Sequence, residues 1–415
     1  MPFGQYTTSS DASVDNPQLV SFPFGARDAF GRLRVTNPLT LFDSKQLYSS
    51  QPLYWDDQEV SGSGTSSVHS QDRASTTMQV TNLTAGKRVR QTFQRFNYQP
   101  GKSQLILMTG VLSAGGGASG IHSAMGYFDD KNGIFVSTND TVSFNIRSHT
   151  SGTPVDTSVS QSSWNGDKLD GTGPSGITLD VTKAQIFWTD MEWLGVGSVR
   201  VGFVIDGAFI LCHTFNHANT IDSVYMSSAN LPCRYEIEND GTGPTASLEH
   251  ICSTVISEGG LQAQGQLHLI STSNLGISAS QNTLTAVLGI SLQATQQSQQ
   301  VDLTSVSMLN STKDAFEWSL LINPTVAGTF TYTNHPDSSS MTAIGSAANT
   351  VTGGNVITGG LVSGATQGNS FSSDLQNALR LGASIAGVSD RIVLCVLPYK
   401  TNSSIDATLG WRELT

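Results

Sequence analysis

A strand–turn–strand pattern at residues 199–215 constrains the fold of this chain more than any other feature of its sequence. Two apolar runs, Val199–Ile205 and Ala208–Phe215, flank the dipeptide Asp206-Gly207. Asp-Gly is a strong hairpin signal because a type I′ turn needs positive φ at both central residues. Apolar residues also occupy the intervening positions of both runs, which predicts central strands between two packed layers. On the second run, period two predicts one shared face for Phe209, Leu211, His213 and Phe215.

Similar turn signals divide the first 260 residues into many short runs. Pro100-Gly101 separates residues 88–98 from residues 104–112, and Asn132-Gly133 precedes another apolar run. No pattern typical of a helix of three turns interrupts this series. Short strands with regular turns and no interleaved helices are typical of a β-sandwich or jelly roll. The sequence therefore predicts an all-β protein.

The density of charged residues changes near Glu258-Gly259-Gly260, which predicts a domain boundary. The first 260 residues hold 40 charged side chains, and the last 155 hold 13. Residues 1–35 are polar, contain three prolines and show no period, so they are expected to form an extended assembly arm. Residues 36–260 are the predicted β-sandwich domain, and residues 261–415 are a smaller β-rich domain.

Composition narrows the function classes. The formal net charge of −11 argues against a direct nucleic-acid partner, because DNA and RNA are polyanions. No apolar run is long enough to cross a bilayer and no export signal is visible, so no membrane insertion is expected. The cysteines have neither zinc-site nor disulfide spacing, and they are expected to be buried free thiols: Cys212, Cys233, Cys252 and Cys395. These features predict a protein without a cofactor, assembled in a reducing cytoplasm.

The sharpest candidate site is the alternating triplet Trp188, Asp190 and Glu192. Period two places the three side chains on one strand face. An aromatic ring beside two carboxylates can bind a sugar, because the ring stacks on the apolar face of the sugar and the carboxylates bind hydroxyl groups. The sequence therefore offers a glycan-binding face. The alternative is structural: on a sheet face, these carboxylates pair with Arg200 or neighbouring donors.

A second candidate is the pair His213 and His217, beside Cys212. Residues four apart on a strand share a face but lie about 13 Å apart, so one metal ion reaches both only if the chain turns between them. No further paired ligands are nearby, and no metal site is predicted. The acidic pairs Asp56-Asp57 and Asp129-Asp130 lack the spacing of an EF-hand loop and are expected to be solvated turns, with calcium binding as the alternative.

Several tracts resemble a family of virion structural proteins of tailed bacteriophages. The resemblance covers roughly residues 25–260, and the end of the chain is also similar. It is carried by residues 28–35, 41–46, 91–102, 163–167, 234–239 and 407–414. The hairpin at 199–215 also resembles those of concanavalin-like sandwiches. The concanavalin-like glucanases carry carboxylates at i, i+2 and i+4 of a similar strand, but here Trp188 stands at the first position, so hydrolysis is disfavoured.

The phage resemblance implies a non-enzymatic virion protein that acts through protein–protein assembly. It does not distinguish a capsid spike, fibre or cement protein from a tail or baseplate component. The implied partners are other capsid or tail proteins and further copies of the chain, for example in a trimer. The alternative function is a carbohydrate-binding module for host attachment, which would bind a host surface glycan. A glycan depolymerase is the third and least favoured function.

Overall fold

The chain forms two compact units in the computed structural model, which describes residues 27–35, 37–113, 118–312, 314–363, 369–371 and 380–414. The N-terminal unit contains the described residues of Met1–Thr92 and Tyr98–Leu261. The C-terminal unit contains those of Phe93–Asn97 and Gln262–Thr415. The division after Leu261 is adjacent to the boundary predicted at residue 260. Most of the predicted arm, residues 1–35, lies outside the described residues.

Strands of the N-terminal unit form two antiparallel sheets. The strands are β1 (Leu39–Lys45), β2 (Trp55–Gly62), β3 (Thr65–Ser70), β4 (Ser75–Val80), β5 (Gly86–Thr92), β6 (Gln104–Val111), β7 (Ile121–Phe128), β8 (Gly133–Asn139), β9 (Thr141–Ser148), β10 (Val155–Ser160), β11 (Ala184–Met191), β12 (Val199–Ile205), β13 (Ala208–Phe215), β14 (Cys233–Asn239) and β15 (Ala246–Ser257). The first sheet has the order β13-β12-β11-β6-β15-β4-β3, with β1 also paired to β15. The second has the order β10-β9-β8-β7-β14-β5-β2.

The two sheets pack face to face around an aromatic core. Phe144 of β9 lies 6.1 Å from Phe187 and 6.0 Å from Phe203, which belong to the opposite sheet. Tyr235 of β14 also crosses the interface, because its hydroxyl lies within hydrogen-bond distance of the backbone oxygens of Thr109 and Cys252, at 3.2 and 3.0 Å. Burial of large aromatic side chains between sheets is the main stabilising term of such a sandwich. The predicted β-sandwich is therefore confirmed.

The hairpin of β12 and β13 forms at the predicted position, but its second strand contains a bulge. Asp206 and Gly207 both have positive φ, at 51° and 76°, as the Asp-Gly signal requires. Leu211 pairs with Gly202 and His213 pairs with Val201, which leaves Cys212 as an extra residue. The bulge moves His213 and Phe215 to the inner face, whereas Phe209 and Leu211 remain on the outer face. The prediction that these four side chains share one face is wrong.

The C-terminal unit is also built from antiparallel strands. They are β16 (Gln266–Ser271), β17 (Ile277–Ala279), β18 (Thr285–Leu292), β19 (Gln300–Asn310), β20 (Phe316–Ile322), β21 (Thr325–Val326), β22 (Thr333–Asn334), β23 (Ser340–Ile344), β24 (Val351–Thr352), β25 (Asn355–Val362), β26 (Asn369–Phe371), β27 (Arg391–Pro398) and β28 (Ser403–Leu414). One sheet has the order β16-β28-β19-β26, with β17 on β28, and a second has the order β22-β23-β18-β27-β20-β25. Trp411 and Trp318, one from each sheet, belong to the same buried apolar cluster.

The predicted all-β class is confirmed for the described part of the chain. Regular helix is limited there to one 3₁₀ turn at Gln161–Ser163, and none of its helices has the length and apolar character needed to cross a bilayer. All four cysteines are free thiols, as predicted. Three are buried, and Cys252 is partly exposed.

Candidate functional site

A groove of about 1100 Å³ opens along one edge of the N-terminal sandwich. Strands β9 and β10 at the end of one sheet and β13 at the end of the other form its walls, and the loop that follows β13 closes one side. Because side chains of central strands fill the space between two sheets, a gap of this size is expected only where the sheets end. We call this gap the edge groove. Its lining residues are Ile146, Ser148, Thr150, Thr157, Asn165, His213, Thr214, Phe215, Asn216, His217, Asn219, Thr220, Ile221, Asp222, Ser223, Val224 and Tyr225.

His213 lies buried in the wall of the edge groove because the bulge at Cys212 directs it inward. The backbone N–H of Asn165 donates to His213 Nδ1 over 3.2 Å, which leaves the ring proton on Nε2. The Asn165 side chain also holds the edge strand: its Nδ2 donates to the Thr214 carbonyl, and its Oδ1 accepts from the Thr214 N–H, each over 2.9 Å. Burial lowers the pKa of His213, so the ring is neutral at pH 7.

His217 and Tyr225 form a stacked pair in the loop after β13. Their ring centroids are 4.1 Å apart and their planes differ by 8°. His217 Nδ1 donates to the Gly197 carbonyl oxygen over 2.7 Å in the neutral tautomer that the carbonyl requires. Burial lowers the pKa of His217, and the bond to Gly197 only partly opposes that shift. Tyr225 is buried, which raises the pKa of its hydroxyl well above the usual range. The partly exposed His217 ring is therefore an uncharged flat surface, backed by the buried Tyr225 ring.

The lining of the edge groove is polar and almost uncharged. Hydroxyl and amide groups predominate, and Asp222 is the one carboxylate among the lining residues, which include neither lysine nor arginine. The aliphatic and phenyl part of the lining comes from Ile146, Phe215, Ile221 and Val224. A site with many neutral donors and acceptors beside apolar and aromatic surface suits a neutral polyhydroxylated ligand, whereas a phosphate or carboxylate ligand requires cationic partners.

The structure corrects the predicted glycan-binding face of Trp188, Asp190 and Glu192. Trp188 and Asp190 point away from the sandwich core, but both side chains are fully buried. Phe209 packs edge-on against Trp188 at 5.5 Å between ring centroids. Strand β11 ends at Met191, and the Glu192 carboxylate accepts from the N–H and hydroxyl of Ser198. Without accessible surface, the ring and the Asp190 carboxylate cannot receive a sugar in this structure.

A buried charge network occupies the position of that predicted face. Arg200 donates to Asp190 through Nε over 2.8 Å, and its Nη2 makes a second short contact with the same carboxylate. Arg34 Nη2 lies 2.7 Å from Asp190 Oδ2, and Arg34 Nε lies 2.7 Å from Glu258 Oε1. Burial raises the pKa of Asp190, while Arg200 and Arg34 oppose that shift by stabilising the carboxylate. The predicted alternative, pairing with Arg200, is confirmed.

Residues 27–34, which we call the anchoring segment, are held to the sandwich by this network. Besides the contacts of Arg34, the Arg27 carbonyl accepts from Arg200 Nη2 over 3.0 Å. The segment also bonds to itself, because Asp28 accepts from the backbone N–H and the Nε of Arg32. Arg32 Nη1 donates in turn to the Gly101 carbonyl. The predicted arm is therefore fixed to the N-terminal unit at its C-terminal end.

The other candidates have structural partners. Asp57 pairs with Arg88 and Arg90, and Asp130 pairs with Arg234. Asp129 accepts two backbone N–H groups of its own turn. No three His, Cys, Asp or Glu side chains are grouped to hold a metal ion in the part of the chain that the structure describes.

Comparison with known proteins gives distant structural similarities only. Neither a family model nor a curated protein matches the sequence. The chain is similar to a carbohydrate esterase of Shiga toxin-encoding bacteriophage phi24B (10% identity, 53% of this chain and 99% of that one, TM-score 0.31). It is also similar to an endo-1,3-β-glucanase of Streptomyces sioyaensis (9%, 58% and 99%, TM-score 0.34) and to a legume lectin-like domain of Entamoeba histolytica (10%, 52% and 97%, TM-score 0.31). With identities near 10% and TM-scores below 0.5, no property of these proteins transfers to this chain.

Proposed function

We propose that this chain is a non-enzymatic structural protein of a tailed-phage particle whose edge groove binds a neutral glycan. The observation that carries the glycan assignment is the lining of the groove, where neutral amide and hydroxyl groups surround the partly exposed ring of His217, which stacks on the buried ring of Tyr225. Sugars present hydroxyl groups along their edges and C–H groups on their faces, so they match both parts of this lining. The proposed site replaces the face first predicted around Trp188.

The groove favours binding over cleavage. Glycoside hydrolysis uses two carboxyl groups on either side of the scissile bond, and the residues that line the groove include only Asp222. An acyl transfer site would need a base next to a nucleophile. His213 uses its Nδ1 to accept from the backbone of Asn165, and His217 uses its Nδ1 to bond the Gly197 carbonyl. Both rings are therefore oriented by the backbone, and the partly exposed His217 ring serves as surface.

The virion assignment rests on the sequence tracts that resemble tailed-phage structural proteins. One of these tracts, residues 28–35, includes most of the anchoring segment, and its Arg34 makes two ion pairs inside the N-terminal unit. An arm that is anchored at one end can order on a neighbouring subunit without loosening the sandwich.

Replacing His217 by alanine is expected to weaken glycan binding about tenfold or more, because the mutation removes one ring of the stacked surface. The measurement is isothermal titration with the best neutral ligand from an array of neutral and acidic bacterial surface oligosaccharides. His69→Ala is the matched control, since His69 lies on β3 at the opposite end of the same sheet. Equal losses of glycan affinity in His217→Ala and His69→Ala would contradict the groove assignment. So would a preference of the wild type for acidic glycans. Release of sugar fragments would contradict the non-enzymatic assignment.

The virion assignment has its own experiment, cryo-electron microscopy of the particle that carries this chain. We expect density for the sandwich on the capsid or on the tail, with residues 1–26 in contact with a neighbouring subunit. Deleting residues 1–26 is expected to abolish attachment to the particle while the sandwich unfolds at an unchanged temperature. Absence of the chain from purified particles would overturn the assignment.

A further inference from the structure

Strand β16 leaves one side of its backbone open at the edge of the C-terminal unit. Within the described residues it pairs with β28 alone, in an unbroken register from Gln266 opposite Glu413 to Ser271 opposite Thr408. Its other side therefore presents a row of N–H and C=O groups. Such an edge is a template for a further strand unless the protein protects it.

Four other edge strands of this protein carry protective features that β16 lacks. Strand β2 contains three carboxylates and a bulge after Glu59, and β13 contains the bulge at Cys212. In the C-terminal unit, β22 has two residues, and β25 is interrupted by a bulge between the partners of Leu320 and Leu321. These are recognised means of preventing edge-to-edge pairing. Strand β16 is regular and lies within residues 261–301, which contain no charged residue.

The open edge of β16 also presents apolar side chains to solvent. Leu267 is 65% exposed and Leu269 is 55% exposed. Period two places both on the same face of the strand. On the opposite face, Ile270 belongs to the core and His268 stacks on Trp411 at 5.6 Å, so packing fixes the position of the strand. Two exposed leucines on a rigid, unpaired edge form a surface that can bury apolar area on pairing.

We propose that β16 is a self-association site, at which the β16 strands of two copies pair antiparallel about a two-fold axis at His268. In that register Leu267 of each copy lies opposite Leu269 of its partner, on the exposed face. The four leucines would form one apolar cluster, and the five-stranded sheets would join into a continuous sheet. A two-fold contact requires such self-complementarity, because each side chain meets its own copy or a symmetric neighbour.

Charge identifies a second copy as the occupant. The whole chain carries a formal charge of −11, so most surfaces of two copies repel each other. The run 261–301 is free of charge, and within it a copy can approach without opposing like charges. An acidic or basic partner would find no complementary group on this strand. This inference concerns the C-terminal unit and is independent of glycan binding by the edge groove.

The experiment measures the mass of the full chain by sedimentation over a range of concentrations. The wild type is expected to be a dimer or a multiple of dimers, and the double substitution Leu267→Lys with Leu269→Lys is expected to weaken association about a hundredfold or more. Leu275→Lys is the matched control, because Leu275 is 64% exposed but lies outside β16. Circular dichroism and the unfolding temperature establish that each variant is folded.

A second measurement tests the register itself. Hydrogen exchange is expected to slow in β16 of the wild type as concentration rises, and to remain fast in the double-lysine variant. A wild type that stays monomeric at all concentrations would overturn the proposal. So would association that persists in the folded double-lysine variant, or association that Leu275→Lys weakens equally. Capture of a different virion protein by a monomeric wild type would also overturn it.

Discussion

Replacing Asp190 by alanine is expected to lower the free energy of unfolding of the N-terminal unit by about 3–5 kcal/mol, the usual cost of removing one partner from a buried ion pair. Asp190 is fully buried and is the carboxylate that Arg200 and Arg34 share. Without it, two guanidinium groups face each other in a region from which water is largely excluded. The variant would also release one of the two ion pairs by which Arg34 holds the anchoring segment.

Denaturant unfolding, followed by tryptophan fluorescence, measures the loss of stability. Limited trypsin digestion provides a second readout, since cleavage after Arg32 or Arg34 is expected to become faster in Asp190→Ala as the anchoring segment loosens. Asp43→Ala is the matched control because Asp43 is exposed on β1, where its contact with Lys45 is worth little. A loss of unfolding free energy below about 1 kcal/mol, with an unchanged rate of trypsin cleavage, would show that the charge network does not hold the anchoring segment.

Local patterns in the sequence predicted the fold class, because hairpins depend on residues next to each other. Asp206-Gly207 marks its turn through backbone conformation alone, and the turn forms as expected. The bulge at Cys212 has no comparable signal in the sequence, because one extra residue in a strand that is apolar on both faces does not alter the visible alternation. That one residue reverses the face of His213, and the edge groove depends on it.

The predicted glycan face was wrong for a different physical reason. Period two correctly places Trp188 and Asp190 on the face away from the core, but alternation does not indicate what covers that face. The covering contact comes from Arg34, which is 156 positions from Asp190 in sequence. Loop closure over such a distance leaves no local signal. Arg200 was identified as a partner because it lies ten positions away, across a hairpin.

The sequence does not predict the edge groove, although it draws attention to two of its residues. The spacing of His213 and His217 is visible in the sequence and raises the possibility of a metal site. The facing wall of the groove comes from β9, β10 and the loop at Asn165, far away along the chain. Spacing along the chain can therefore point to individual histidines. The arrangement of the sheet edges decides what those histidines do.

Acid unfolding is expected to reveal a second buried charge centre, at Glu236 on the central strand β14. Burial opposes ionisation of this carboxyl, but Arg234, Lys87, His122 and Arg147 more than offset it and lower its pKa to about 2. The unfolded value is near 4.5. A lowered folded pKa means that the stabilisation is complete above pH 4.5 and is lost as the pH falls through about 2. The difference corresponds to about 3 kcal/mol.

Glu236→Gln is therefore expected to destabilise the N-terminal unit by about 3 kcal/mol at pH 7 and much less at pH 2, where about half of the wild-type carboxyl is itself protonated. Denaturant unfolding of both proteins at several pH values measures this convergence. Glu238→Gln is the matched control, since Glu238 is two positions away on the same face but is 41% exposed, and exposed pairs contribute little. If the difference in unfolding free energy between the wild type and Glu236→Gln stayed constant from pH 7 to pH 2, shape and hydrogen bonding, rather than charge, would stabilise this centre. In that case Arg234 would rely on Asp130 and Gln91 instead.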